Sequence, residues 1–210
     1  MNLTPSSAPS SASTLSALAP GFSNPVQDSQ TVFRAVLDAF ARPGQIQTVR
    51  SDARLPIAQA QPAAVNVLLA LLDQDCTLWL SPALRQDAAV ANLRFHTGCQ
   101  IVENAQQAQF IWAASGAELP ALSTLACGTE YEPELSATCL VQVDALAHTP
   151  GWTLSGPGIR GTQTLQADGL PADFLAQWAD NHARFPQGVD LLLCAGDQLV
   201  GLPRTTRIGS

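Results

Sequence analysis

The segment Val189–Cys194 constrains the fold more than any other stretch of this chain. Beyond Asp190 every position is apolar, so neither alternating face of a strand built from it can meet water. Such a segment predicts a strand inside a sheet that is covered on both sides. α/β domains satisfy that demand by packing helices on each face of a parallel or mixed sheet. Ala195-Gly196-Asp197 then reads as a hairpin turn into a second strand, Gln198–Leu202.

The preceding residues supply helices and strands in alternation. Asn24 predicts an N-cap with Pro25 at the first helical position, and Val32, Phe33, Val36, Leu37 and Phe40 repeat at helical spacing. Arg42-Pro43-Gly44 stops that helix, and Ile46–Val49 follows as a short strand. Pro62–Leu72 predicts a strongly apolar helix, Cys76–Leu80 a strand ending at Ser81-Pro82, and Ala83 to about Leu93 a third helix. Ile101-Val102, Phe110–Ala113, Thr138–Val143 and Trp152–Leu154 read as further strands, with a helical stretch around Leu119–Leu125. Pro171–Ala183 predicts a helix with Phe174, Leu175 and Trp178 on one face. Together these predict one α/β domain over residues 21–208, a single three-layer αβα unit with a mixed central sheet and helices on both sides. Residues 1–20, rich in Ser, Ala, Pro and Thr and without a charged side chain, read as a disordered tail.

Composition removes several function classes. The longest apolar run, Val65–Leu72, is interrupted by Asn66 and is too short to span a bilayer. No basic residue precedes an apolar block near Met1, so the expectation is a soluble, cytoplasmic protein with no membrane partner. The net charge of -7, with no compensating basic stripe, speaks against nucleic-acid binding. All ten basic residues are arginine, and without lysine no Schiff base to pyridoxal phosphate (PLP) and no P-loop lysine can form. Cys76, Cys99, Cys127, Cys139 and Cys194 are dispersed and form no C-x-x-C, so they read as buried, reduced thiols. Neither a metal site nor an iron–sulfur cluster is expected.

Most apparent motifs have a plainer reading. Gly156-Pro157-Gly158-Ile159-Arg160-Gly161 matches G-x-G-x-x-G, but the strand-prone Thr162-Gln163-Thr164-Leu165 follows where a dinucleotide site needs a helix. A turn between strands is the better reading. His96, His148 and His182 share no short spacing, and Glu130, Glu132 and Glu134 read as a solvated loop. Four clusters carry chemistry suited to an oxyanion. They are Asp28 and Arg34 in the first helix with Arg42 at its end; Arg94-Phe95-His96-Thr97 in a loop; Gly128-Thr129; and Arg204-Thr205-Thr206-Arg207. Taken singly, each reads by default as a surface arginine or a satisfied loop hydroxyl. The candidate ligand-binding residues are therefore Asp28, Arg34, Arg94, His96, Thr129, Arg204 and Thr205, to be judged by whether the fold brings two clusters together.

Several of these blocks, in order, resemble one family. They are Pro25-Val26-Gln27-Asp28-Ser29-Gln30 with Phe33-Arg34 and Arg42-Pro43-Gly44; Trp79-Leu80-Ser81; Leu93 to Thr97; Gly128-Thr129 with Pro133-Glu134 and Ala137-Thr138; Leu154 to Ile159; Phe185-Pro186 with Gly188 to Leu191; and Pro203 to Thr206. Across residues 21–208 the chain is similar to the PhnH family, subunits of the bacterial carbon–phosphorus (C–P) lyase core complex. The resemblance implies a fold like the large domain of PLP-dependent transferases without the cofactor, which agrees with the absence of lysine. It implies a role in organic phosphonate catabolism, supporting formation of α-D-ribose 1-methylphosphonate 5-triphosphate from ATP and methylphosphonate. The implied partners are the PhnG, PhnI and PhnJ subunits, with a homodimer in isolation and no catalysis by the chain alone. Two alternatives stand beside this reading. One is a nucleotide- or phosphonate-binding protein in which Arg34, Arg94, His96, Arg204 and Thr205 converge on an anion such as ATP in a vestigial cofactor pocket. The other is a homodimeric scaffold without a ligand site.

Overall fold

The structure is a computed structural model and describes residues 18–209, so the reading of residues 1–17 as a tail lies outside the described residues. Helix α1 (Pro25–Ala41) starts as its sequence dictates. Asn24 Oδ1 accepts from Gln27 N at 3.3 Å, and Asp28 Oδ2 accepts from Asn24 N at 2.9 Å, a reciprocal cap of the capping-box type. The chain continues through β1 (Gln47–Thr48), α2 (Pro62–Leu71), β2 (Thr77–Leu80), α3 (Asp87–Thr97), β3 (Gln100–Ile101), β4 (Phe110–Ala113) and β5 (Thr138–Gln142). It closes with β6 (Ala145–Ser155), β7 (Gln163–Asp168), α4 (Phe174–Ala183), β8 (Asp190–Ala195), β9 (Gln198–Leu202) and β10 (Arg207–Gly209).

The domain is α/β, centred on a mixed seven-stranded sheet in the order β1-β9-β8-β5-β4-β2-β3. Strands β8, β5, β4, β2 and β3 pair in parallel, whereas β9 is antiparallel to both β8 and β1. Strand β9 therefore runs alone against the rest. Strand β8 lies inside the sheet as its apolar run requires, with Leu191, Leu192, Leu193 and Cys194 fully buried.

Side-chain alternation splits the core in two. Trp112, Leu140, Leu192 and Leu199 pack with the buried residues of α1, α2 and α3. Ile111, Cys139, Val141, Leu191 and Leu193 face the other way. On that side α4 shares the layer with a second, antiparallel sheet of order β10-β6-β7, which contributes Leu146, Leu154 and Leu165. Helices do flank both faces of the sheet, but one outer layer is half sheet. The predicted strand Trp152–Leu154 is the far end of the eleven-residue β6, whose register against β7 shifts between Ala147 and Trp152 and breaks the alternation that would have marked it. At Gly201 a Cβ would lie 2.6 Å from the Ala39 carbonyl, so only glycine lets α1 rest this closely on β9.

Three further expectations shift. The third helix runs from Asp87 to Thr97, after a 3-10 turn at Pro82–Leu84, and ends at Gly98 with φ 76°. Arg94-Phe95-His96-Thr97 is therefore its last turn rather than a loop, because nothing before Gly98 stops the helix. Around Leu119–Leu125 two 3-10 turns, Gly116–Glu118 and Leu122–Thr124, flank Pro120, which lacks the N–H that a continuous helix needs. On α4, Phe174 and Trp178 are buried but Leu175, one position round the helix, is 40% exposed. Phe174 stacks between Trp152 of β6 and Trp178, with centroids 5.5 and 6.1 Å away. Among the described residues, no helix is long and apolar enough to cross a membrane.

Candidate functional site

Open α/β sheets usually receive ligands outside the carboxyl ends of their parallel strands. Here glutamine side chains fill part of that crevice. Gln142, 2% exposed at the end of β5, accepts from Gln61 N at 2.7 Å. Its Nε2 donates to Gln59 O at 2.8 Å and Ala114 O at 3.3 Å. Gln61 in turn donates to Val143 O and accepts from Gly196 N, both at 3.0 Å. The two side chains tie the start of α2 to the ends of β4, β5 and β8, a junction no local motif announced.

The expected site residues separate into two regions. Asp28 caps α1 through Asn24 N, and Arg34 is exposed on α1. Arg94 and His96 stand in the last turn of α3, where positive charge suits the helix dipole. His96 Nε2 donates to Ala19 O at 2.8 Å, and Ala19 N donates to Asn92 Oδ1 at 2.9 Å, so the segment before α1 is pinned across α3. All four belong to the layer of α1 and α3. Thr129, Arg204 and Thr205 lie with the other layer.

In that second region the sequence blocks converge. Arg204 Nε donates to Asp190 Oδ1 at 3.1 Å and Nη2 to Asp190 Oδ2 at 2.6 Å. Nη1 donates to Pro133 O at 3.0 Å and Pro186 O at 3.2 Å, and Nη2 also reaches Ser136 Oγ. All five guanidinium donors are thus satisfied inside the protein, leaving none for an added oxyanion. Thr129 serves the local turn: its Oγ1 accepts from Glu132 N at 2.9 Å and closes the exposed acidic turn. Asn181 pairs both its donor and its acceptor with Val189 at 2.9 and 2.8 Å, joining α4 to the start of β8. The G-x-G-x-x-G segment is the expected turn, joining β6 to β7 with no helix. Its Gly158 packs so closely on Ala41 O that a Cβ would not fit, and the Arg42-Pro43-Gly44 corner joins the same cluster.

Two cavities adjoin here and share Phe185 and Thr205. One, of 380 Å³, runs between Pro133, Pro186, Pro203 and Arg204. The other, of 460 Å³, is walled by Pro157, His182 and Arg207. Sequence reading passed over His182 because its partners lie 22 and 25 positions away.

The Cys76, Cys99, Cys139 and Cys194 thiols are not activated. Burial pushes the Cys139 thiol far above its ordinary value and that of Cys194 up to about 12, while desolvation also raises Cys76 and Cys99. All five cysteines are free. Among the described residues, no group of three or more His, Cys, Asp or Glu could hold a metal ion.

Residues 20–209 match the family model described as "Bacterial phosphonate metabolism protein (PhnH)". A protein of Rhizobium meliloti (strain 1021), named alpha-D-ribose 1-methylphosphonate 5-triphosphate synthase subunit PhnH, is 40% identical over 89% of this chain and 93% of its own length. A Stutzerimonas stutzeri protein, named "Putative C-P lyase subunit protein HtxG", is 35% identical over 85% of each chain. With the family model covering nearly the whole described length and a 40% identical relative bearing the same family name, the chain belongs to the PhnH family of bacterial phosphonate metabolism proteins.

Proposed function

We propose that this chain is a subunit of a C–P lyase system that supports formation of α-D-ribose 1-methylphosphonate 5-triphosphate from ATP and methylphosphonate. The observation that carries the reading is the match over nearly the full chain to a relative named as a subunit of that synthase. A supporting role, rather than catalysis by the chain alone, accords with the site. Arg204 has no free donor, glutamines occupy part of the usual ligand crevice, and burial holds the Cys139 and Cys194 thiols protonated. The seven-stranded mixed sheet supports the likeness to the large domain of PLP-dependent transferases, and a chain without lysine offers no amine for the cofactor's Schiff base.

The partners in this reading are the PhnG, PhnI and PhnJ subunits, in the cytoplasm, with a homodimer when the chain is isolated. Val26, Phe33 and Leu37 form an exposed apolar stripe on α1, and Tyr131, Leu135 and Phe185 expose further apolar area. Such surfaces are what docking covers. The test is to tag the chain in phosphate-starved cells growing on methylphosphonate and identify what co-purifies at stoichiometric levels. Recovery of the other core subunits is the expected result. A chain that purifies alone, while deletion of its gene leaves growth on methylphosphonate intact, would overturn the reading.

A further inference from the structure

The 460 Å³ cavity beside β10 is lined by the exposed Arg207, a cation that no described residue neutralises. His182 Nδ1 lies 2.8 Å from Arg204 O, and a carbonyl only accepts, so Nδ1 carries the ring proton. Nε2 is then the lone-pair nitrogen and accepts from Arg207 Nε at 3.1 Å. A neutral imidazole therefore fixes the root of the Arg207 guanidinium without cancelling its charge. The ion pairs among the described residues are Arg42–Asp38, Arg85–Glu103 and Arg204–Asp190, so Arg207 has no carboxylate. Its four terminal N–H groups find no protein acceptor among the described residues.

The rest of the wall complements that charge. Ser155 and Thr205 line the cavity, and neither hydroxyl makes a hydrogen bond among the described residues. The neighbouring cation, Arg204, is spent on Asp190. Opposite in character are Pro157 and Phe185, the latter 60% exposed. Gly156 brings the turn close: a Cβ there would meet Thr205 O at 2.8 Å, so the β6–β7 turn and the segment before β10 form one continuous rim.

We infer that this cavity binds a phosphoryl or phosphonyl oxyanion that carries an aromatic or apolar body. The oxyanion takes the free fork of Arg207 with the Thr205 and Ser155 hydroxyls, and the body lies along Phe185 and Pro157. A tetrahedral oxyanion points three oxygens in different directions, so the fork and the two hydroxyls reach it from separate sides, whereas a carboxylate confines its acceptor sites to one plane. The inference concerns the isolated chain and does not depend on complex membership.

Calorimetric titration of the isolated full chain tests it, with phenylphosphonate as the probe beside inorganic phosphate, benzoate and benzyl alcohol. Saturable binding of phenylphosphonate is expected, with the other three weaker by about tenfold or more. Arg207→Gln and Phe185→Ala should each weaken phenylphosphonate by about tenfold, whereas Arg34→Gln, on the opposite layer, leaves it unchanged. Thermal unfolding of each variant confirms that it is folded. No saturable heat at about 10 mM phenylphosphonate, equal affinity for benzoate, or unchanged binding by folded Arg207→Gln would each overturn the proposal.

Discussion

Arg204 and Asp190 meet as a two-point fork, Nε on Oδ1 at 3.1 Å and Nη2 on Oδ2 at 2.6 Å, while the Arg204 backbone N–H also donates to Oδ1 at 2.7 Å. The pair links the start of β8 to the residue that follows β9 by two positions. Because the same guanidinium also holds Pro133, Pro186 and Ser136, it joins four separate segments. Arg204→Ala should lower unfolding free energy by about 2–4 kcal/mol, since it strands Asp190 and three further acceptors. Arg204→Lys should recover less than half of that, a point charge being unable to span five donors' worth of partners. Denaturant midpoints measure both; a loss under about 0.5 kcal/mol for the alanine variant would show the fork to be idle.

The Gln142 junction predicts a second loss. Gln142→Leu keeps the volume but leaves Gln61 N, Gln59 O and Ala114 O without their partner at a buried position. A destabilisation of about 2–4 kcal/mol is expected, with hydrogen exchange accelerated at Gln61 and Gly196. Exchange that speeds up elsewhere but not at these amides would contradict the assignment.

Cysteine chemistry predicts behaviour in base. Folding raises the Cys194 thiol from 9.0 to about 12, and Cys139 more strongly, so the folded state prefers the protonated form. Stability from these groups is complete below pH 9 and is lost as pH rises towards 12, by about 1.4 kcal/mol per pH unit for each thiol in the window where only the unfolded chain ionises. Comparing denaturant midpoints at neutral pH and at pH near 10 for the wild type and Cys194→Ala checks this. The variant should show the shallower decline, and parallel declines would refute it.

The α1 stripe predicts a separation of stability from assembly. Phe33 and Leu37 are 46% and 51% exposed, so Phe33→Glu with Leu37→Glu should change unfolding free energy by only about 0.5 kcal/mol. The same double variant should fail to recover partner subunits in a pull-down. Full recovery would move the docking surface elsewhere, with the Tyr131, Leu135 and Phe185 area next to examine.

What could be read from sequence was local or strongly patterned. Asn24, Pro25 and Asp28 mark the start of α1 within five residues, and the apolar run of β8 demanded burial on both faces. Asp28 read as a ligand because it stands one position beyond the three-residue spacing of a capping box, yet its carboxylate reaches back to Asn24 N. Long-range partnerships left no trace of this kind. Gln61 and Gln142 are 81 positions apart, and Arg207 meets His182 across 25. Arg204 looked like an anion fork because guanidinium chemistry is the same whether its acceptors are inside the protein or outside. Only the fold distinguishes Arg204, with every donor used, from Arg207, whose four terminal N–H groups meet no acceptor among the described residues.

The reversed direction of β9 has a wider result. Had β9 run with its neighbours, residues 203–209 would emerge at the carboxyl edge of the sheet. Instead Leu202 pairs with Leu191 at the beginning of β8, which delivers Arg204, Thr205 and Arg207 to the amino edge. Both proline- and arginine-walled cavities follow them there, while the edge where related architectures do their chemistry is knitted by side-chain amides. One reversed strand thus sets these two cavities at the pole of the sheet opposite its usual ligand crevice.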